Sequence, residues 1–259
     1  MFKYFSLLIS SCSLLPAFAQ TRTLPAEARP FVIKGYEMLD YITGDLNGDK
    51  RPDAILILKS AGEEASATEE NARPFLILIR QANGKLKQVK RNDNLVLCKE
   101  CGGVFGDPYD NTSISNNGFT IDFYGGSSWR WGYTYHFAYK AAKSNWYLVN
   151  EKQISFQSGD PETTTKEVNI DETELGAIPV DDFNSTPSAA DVKWKVTAAK
   201  TFFYDNPKLG SKTRKGYLLK DNIATVTREL TNFVEVSFDN GKGQFSTGYV
   251  LKKDMVKIN

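Results

Sequence analysis

The chain has 259 residues, and its 32 Lys and Arg balance 31 Asp and Glu to a formal charge of +1. That balance leaves no basic field for nucleic acid or an anionic lipid surface. Aromatic side chains make up 12% of the sequence, with 12 Tyr and 16 Phe, which favours strands over helices.

Residues 1–19 read as a cleavable secretory signal. Lys3 supplies the positive start, the run from Ser6 to Leu15 is short and apolar, and Ala17-Phe18-Ala19 has the small-x-small spacing of a cleavage site. A second reading takes Ile9-Ser10-Ser11-Cys12 as a rough lipobox, which would make the protein a lipoprotein. The expected location is the periplasm or the outside of the cell. No later stretch is long and apolar enough for a helical membrane span, so none is expected. About 240 residues then remain, enough for one large or two small domains.

Residues 20–30 form a polar lead-in, and Tyr36 to Ile42 is readable as a helical turn or a strand. Asp45 to Asp53 is dense in Asp, Asn, Gly and Pro and is therefore a loop. Ala54-Ile55-Leu56-Ile57-Leu58 and Phe75-Leu76-Ile77-Leu78-Ile79 are continuous apolar runs, as in strands buried on both faces. Between them, Ala61 to Arg73 is a charged excursion. Ala82-Asn83-Gly84-Lys85 predicts a hairpin turn into Leu86–Lys90. Cys98 and Cys101 are the cysteines left after cleavage, and in an oxidising compartment they predict a local disulfide. Gly102-Gly103 follow directly and break a helix, which argues against a thioredoxin-like redox pair.

Residues 118–124 and 131–139 alternate and are rich in strand formers, and Trp146-Tyr147-Leu148-Val149 adds another strand. Between the first two lies the least ordinary stretch, Tyr124-Gly125-Gly126-Ser127-Ser128-Trp129-Arg130-Trp131. Tyr124, Trp129, Arg130 and Trp131 are candidate ligand-binding residues, because flat rings recognise sugars or protein side chains at low entropy cost. The alternative is that one Trp fills the core. His136 is the single His and sits inside a strand, with no Ser elbow or catalytic Cys signature to serve, so no catalytic residue is assigned.

Residues 158–192 are dominated by Ser, Thr, Asp, Glu and Pro and read as a polar linker. From Lys193 onward, five short strand patterns at close spacing predict a small barrel.

Two resemblances add to this reading. Gly44-Asp45-Leu46-Asn47-Gly48-Asp49 with Pro52-Asp53, leading into an apolar strand, resembles the calcium loops of FG-GAP repeats, and the stretch from Arg73 through the double-Gly motifs is similar to exported bacterial proteins that carry one such loop. The resemblance implies Asp45, Asn47, Asp49 and Asp53 as ligands, with the Arg51 backbone carbonyl joining them, and Ca2+ as the bound ion. A metal-free turn held by Asx side chains stands as the alternative. The motif occurs once, Lys50 stands where such loops usually have Gly, and a propeller of several blades is not expected.

Thr201-Phe202-Phe203-Tyr204-Asp205-Asn206-Pro207, the segments 215–226 and 232–238, and Thr247-Gly248-Tyr249-Val250-Leu251 are similar to a bacterial SH3-like domain over about 65 residues. The resemblance implies binding of peptidoglycan, peptides or partner proteins, with Phe203, Tyr204 and Tyr249 as candidate surface aromatics or as core. The expected architecture is mostly β: an antiparallel β-rich domain over residues 20–157, the linker, and a small SH3-like β-barrel over 193–259. The expected function is a non-enzymatic envelope protein that binds peptidoglycan or an envelope protein or peptide. The alternatives are an inhibitor or immunity-type partner of another exported protein, or a cell-wall hydrolase accessory.

Overall fold

The apolar runs Ala54–Leu58 and Phe75–Ile79 become strands in the computed structural model, which describes residues 23–63, 71–115, 117–185 and 192–258. Residues 1–19 and Cys12 lie outside the described residues. Strands β1 (Tyr36–Gly44), β2 (Asp53–Ser60), β3 (Arg73–Arg80) and β4 (Leu86–Val96) form a four-stranded antiparallel meander. A second meander follows in five strands: β5 (Tyr109–Ser115), β6 (Gly118–Gly126), β7 (Trp129–Lys140), β8 (Asn145–Gln157) and β9 (Lys166–Asp171).

The continuous apolar runs have two faces to fill. Ile55, Ile57, Phe75 and Ile77 point towards the second sheet and pack with Phe119, Ile121, Phe137 and Leu148. Phe75 meets Phe119 at 5.1 Å between ring centroids, and Phe119 stacks on Phe137 at 4.9 Å. The opposite face, Ala54, Leu56, Leu58, Leu76 and Leu78, is covered by Leu24 of the lead-in and by Phe31, Val32 and Ile33, which extend it. The lead-in thus acts as a third layer, which lets an antiparallel sheet carry runs without alternation.

Within residues 158–192, expected to link two domains, the described stretch 158–185 is folded. Short helices α1 (Pro161–Thr164) and α2 (Glu172–Leu175) flank β9, which pairs with β8 from Ser155 to Asn150. The chain then returns along the start of β8, where Leu148 N–H donates to Ile178 O (2.9 Å) and Val180 N–H to Trp146 O (2.8 Å). Asn92 on β4 donates to the carbonyls of Val180 and Phe183. Ile170, Leu175, Val180 and Phe183 enter the sandwich core. Average composition conceals these few apolar residues because they are widely spaced among polar ones.

The last third is a seven-stranded antiparallel sheet in the order β12-β11-β15-β14-β13-β10-β16. Its strands are β10 (Val192–Val196), β11 (Lys200–Tyr204), β12 (Thr213–Leu219), β13 (Ile223–Glu229), β14 (Phe233–Asp239), β15 (Phe245–Leu251) and β16 (Met255–Lys257). One face closes on its own core of Trp194, Val196, Phe203, Leu218, Val226, Val234, Val236 and Val250. The other face of β14 and β15 presents Phe233 and Tyr249, which join the core of the sandwich. Among the described residues no helix is long and apolar enough to cross a membrane.

Candidate functional site

β7 and β8, of 12 and 13 residues, are the longest strands of the second sheet. Residues of β7 and β8 face residues of β14 and β15 across a groove of about 730 Å³. Strand alternation decides what lines it. Trp129, Trp131, Tyr133 and Tyr135 fall on one face of β7 at every second position. Trp131 and Tyr133 lie 5.4 Å apart between centroids, and Tyr133 stacks on Tyr135 at 5.9 Å with planes 3° apart. The row begins with Trp129, 51% exposed at the mouth, and ends with Tyr135, buried in the core. Tyr249, Glu235 and Thr247 form the facing wall, and Arg214 pairs with Asp205 at its rim.

The same alternation separates the sequence candidates. Arg130 and Tyr124 point to the outer face, where the Arg130 guanidinium lies 3.8 Å from the Phe105 ring and Tyr124 meets Phe105 edge-on at 5.6 Å. Phe203 is buried in the core of the last sheet, and Tyr204 is half-buried against Phe233 at 5.2 Å. Neither presents a free surface ring, because a sheet this small needs its large side chains inside. Tyr249 is also buried, yet it lines the groove. Trp129, Trp131 and Tyr249, predicted from opposite halves of the chain, therefore meet in one place.

Glycines set the floor beneath Trp131. A Cβ on Gly125 would stand 2.5 Å from the Trp131 ring and 2.9 Å from Gly102 Cα. Their absent side chains let the turn closed by the Cys98–Cys101 disulfide lie on β6 beside the ring. Arg73, fully buried at the start of β3, fastens this region. It forms bidentate pairs with Glu63 (2.9 and 2.8 Å) and Asp107 (2.7 and 2.7 Å) and donates to Leu97 O.

Deeper in the seam a cavity of about 300 Å³ is lined by Tyr133, Tyr135, Glu151, Arg228 and Glu235, among others. A β-bulge between Val226 and Arg228 turns Arg228 towards the sandwich. Burial raises the Glu235 carboxyl above its ordinary value, against the pull of the Arg228 charge. Burial likewise raises the Tyr249 phenol, with the Glu235 charge adding to it. Tyr133, Glu151, Arg228 and Glu235 carried no sequence signal beyond the alternation of Trp131 with Tyr133, since their roles depend on which strands become neighbours.

The Asp loop lies near the other end of β8. From Trp146 to Gln153 the separation is on the order of 20 Å at the usual strand rise. Leu46 is fully buried and anchors the loop, with its carbonyl accepting from Trp146 Nε1 at 2.8 Å. Asp45 accepts from the N–H groups of Asn47, Gly48 and Lys50, and Asn47 Oδ1 from that of Asp49. Lys50 takes φ 66°, the left-handed conformation for which Gly is the usual choice. Asp53, fully buried, accepts from Leu46 N–H (3.0 Å) and Arg80 N–H (2.9 Å).

Oxygens of Asp45, Asp49 and Asp53 lie within 4.8 Å of one another. Ligands 2.3–2.6 Å from one calcium ion span about that distance, and Asp45 Oδ2, Asp49 Oδ1 and both Asp53 oxygens each accept a single hydrogen bond, so the three carboxylates could hold such an ion. Burial and the charges of Asp49 and Asp45 raise the Asp53 carboxyl against its two backbone hydrogen bonds. The Arg51 backbone N–H donates to Asp49 Oδ1 (2.9 Å), and its guanidinium pairs with the same carboxylate. His136, on the outer face, contacts the Thr120 hydroxyl at 3.0 Å.

The chain matches no protein-family model, and no curated protein is significantly similar to it.

Proposed function

We propose that the protein is a non-enzymatic binding protein of the cell envelope, and that its ligand is an extended cell-wall polymer seated in the groove between the sandwich and the last sheet. The observation that carries this reading is the row Trp129–Trp131–Tyr133, which leads from solvent along a groove faced by Tyr249. Flat rings at regular intervals suit a repeating chain with apolar faces, and the Asp205–Arg214 pair at the rim offers hydrogen bonds to its polar edges. Export is supported by the signal-like pattern of residues 1–19 and by the disulfide.

On this reading the last sheet is an SH3-like module whose outer β14–β15 face serves as a groove wall. The Asp loop is a calcium site that stiffens the far end of the sandwich, with Asp45, Asp49 and Asp53 as ligands. The chemistry calcium supplies there is charge neutralisation among three clustered carboxylates.

Co-sedimentation with purified peptidoglycan tests the groove. The protein should pellet with the polymer, and Trp129→Ala and Trp131→Ala should each weaken binding by roughly 10-fold, the usual scale for a ring at the centre of a contact. Protein that stays in solution, or tryptophan variants that pellet like the parent, would sink the proposal.

A further inference from the structure

The inner end of the groove has a charge and hydrogen-bond inventory that its own residues leave incomplete. Glu235 stands directly across the β14–β15 ladder from Tyr249 and opposite Arg228 on β13. Arg228 is already committed, since both of its terminal nitrogens donate to Glu151 at 2.6 Å. Glu229, at the edge of the same cavity, pairs with Lys252 at 3.1 Å. Asp182 adds a further carboxylate to the lining. The carboxylates of Glu151, Glu229, Glu235 and Asp182 therefore outnumber the cations of Arg228 and Lys252. Glu235 forms no ion pair among the described residues.

A second observation is independent of that charge. The Tyr249 hydroxyl is buried, with 3% of the residue exposed, and has no hydrogen-bond partner among the described residues. Buried hydroxyls are nearly always satisfied, so an unpartnered one lining a cavity marks a place for a ligand atom. The half-buried Tyr133 ring, from the facing sheet, lines the same groove, as does Glu235. A carboxylate, a phenol oxygen and aromatic faces converging on the groove are the elements of an organic-cation site. A hard metal ion would need six or more oxygens, whereas the groove around Glu235 and Tyr249 is walled by the rings of Trp131 and Tyr133.

We infer that the inner end of the groove binds a protonated primary amine carried by the ligand, on a peptide side chain or an amino sugar, with Glu235 as its carboxylate partner, the Tyr249 oxygen as acceptor and Tyr133 as its aromatic face. This deepens the groove reading and rests on it for the rest of the ligand.

The test is calorimetric titration of the purified protein with Nα-acetyl-lysine amide and with glucosamine, each beside its uncharged counterpart, Nα-acetyl-norleucine amide and N-acetylglucosamine. At least one amine should bind roughly 10-fold or more tightly than its counterpart, as expected for a charge-assisted hydrogen bond, and which one does identifies the source. Glu235→Gln should remove that preference. Tyr249→Phe, which deletes only the hydroxyl, should weaken the amine several-fold and provides a second probe if Glu235→Gln folds poorly. Equal binding of amine and counterpart, or an unchanged preference in both variants, would overturn the inference. Polymer sedimentation separates the two ideas. Sedimentation that depends on Trp131 without any amine preference keeps the groove and removes the amine site. An amine preference in a protein that does not sediment keeps the site and removes the polymer.

Discussion

Arg228 on β13 reaches across the seam and holds Glu151 on β8 through two parallel hydrogen bonds of 2.6 Å. Glu151 is 1% exposed, so the pair is a desolvated bridge between the last sheet and the sandwich. The bidentate geometry also orients the wall that carries Glu235 and Tyr249. Removing one partner strands the other charge in the interior, and Arg228→Ala should cost about 3–5 kcal/mol in urea denaturation. The double change Arg228→Met with Glu151→Leu should cost far less, because no charge is left unpaired. A single variant as stable as the parent would show that the seam is not held this way.

Arg73 sets up the same test at the disulfide turn. It is fully buried between Glu63 and Asp107, and those carboxylates raise its affinity for a proton despite burial. Arg73→Met leaves Glu63, 2% exposed, without a countercharge and should again cost about 3–5 kcal/mol. Loss of the Asp107 contact should also loosen the turn beneath Trp131, and an altered tryptophan fluorescence spectrum in the folded variant would register it. An unchanged spectrum would separate the clamp from the groove.

In the Asp loop, structural and metal-binding roles are separable by residue. Calcium should raise the melting temperature relative to chelator, and Asp45→Asn should abolish that difference. Asp53→Asn should lower stability under both conditions, because Asp53 also accepts the N–H groups of Leu46 and Arg80. Lys50→Gly should gain on the order of 0.5–1 kcal/mol by relieving the left-handed conformation. Identical melting curves with calcium and with chelator would end the metal assignment.

Glu235 makes stability depend on pH in the sense opposite to a salt-bridged carboxylate. Burial raises its folded value above the ordinary 4.5, so the folded state holds the proton more tightly than the unfolded chain does. The resulting stabilisation is complete below about pH 4.5 and is lost as pH rises through the raised value. Glu235→Gln, neutral throughout, should match the parent near pH 4 and melt higher at pH 7. A variant that melts lower at pH 7 would mean that the Arg228 charge outweighs the burial.

Periodicity and turn chemistry made much of this protein legible before any contact was known. The runs at Ala54–Leu58 and Phe75–Ile79 have no polar face, and the structure covers both of their faces. The Asx and Gly spacing from Asp45 to Asp53 specified a loop because those side chains satisfy backbone N–H groups locally. Cys98 and Cys101 are near enough in sequence to bridge without long-range help. Each of these features is decided within a few residues. The folded course of residues 158–185 was hidden because Ile170, Leu175, Val180 and Phe183 are scattered, and their burial exists only once β8 and β4 are in place. The groove is non-local in the same way. Strand alternation could pair Trp129 with Trp131, but only tertiary structure sets Tyr249 opposite them, turns Arg130 and Tyr124 to the other face and buries Phe203. Local sequence chose the strands and turns, since they answer to neighbouring residues; sheet packing chose the site, since its residues become neighbours only when the chain closes.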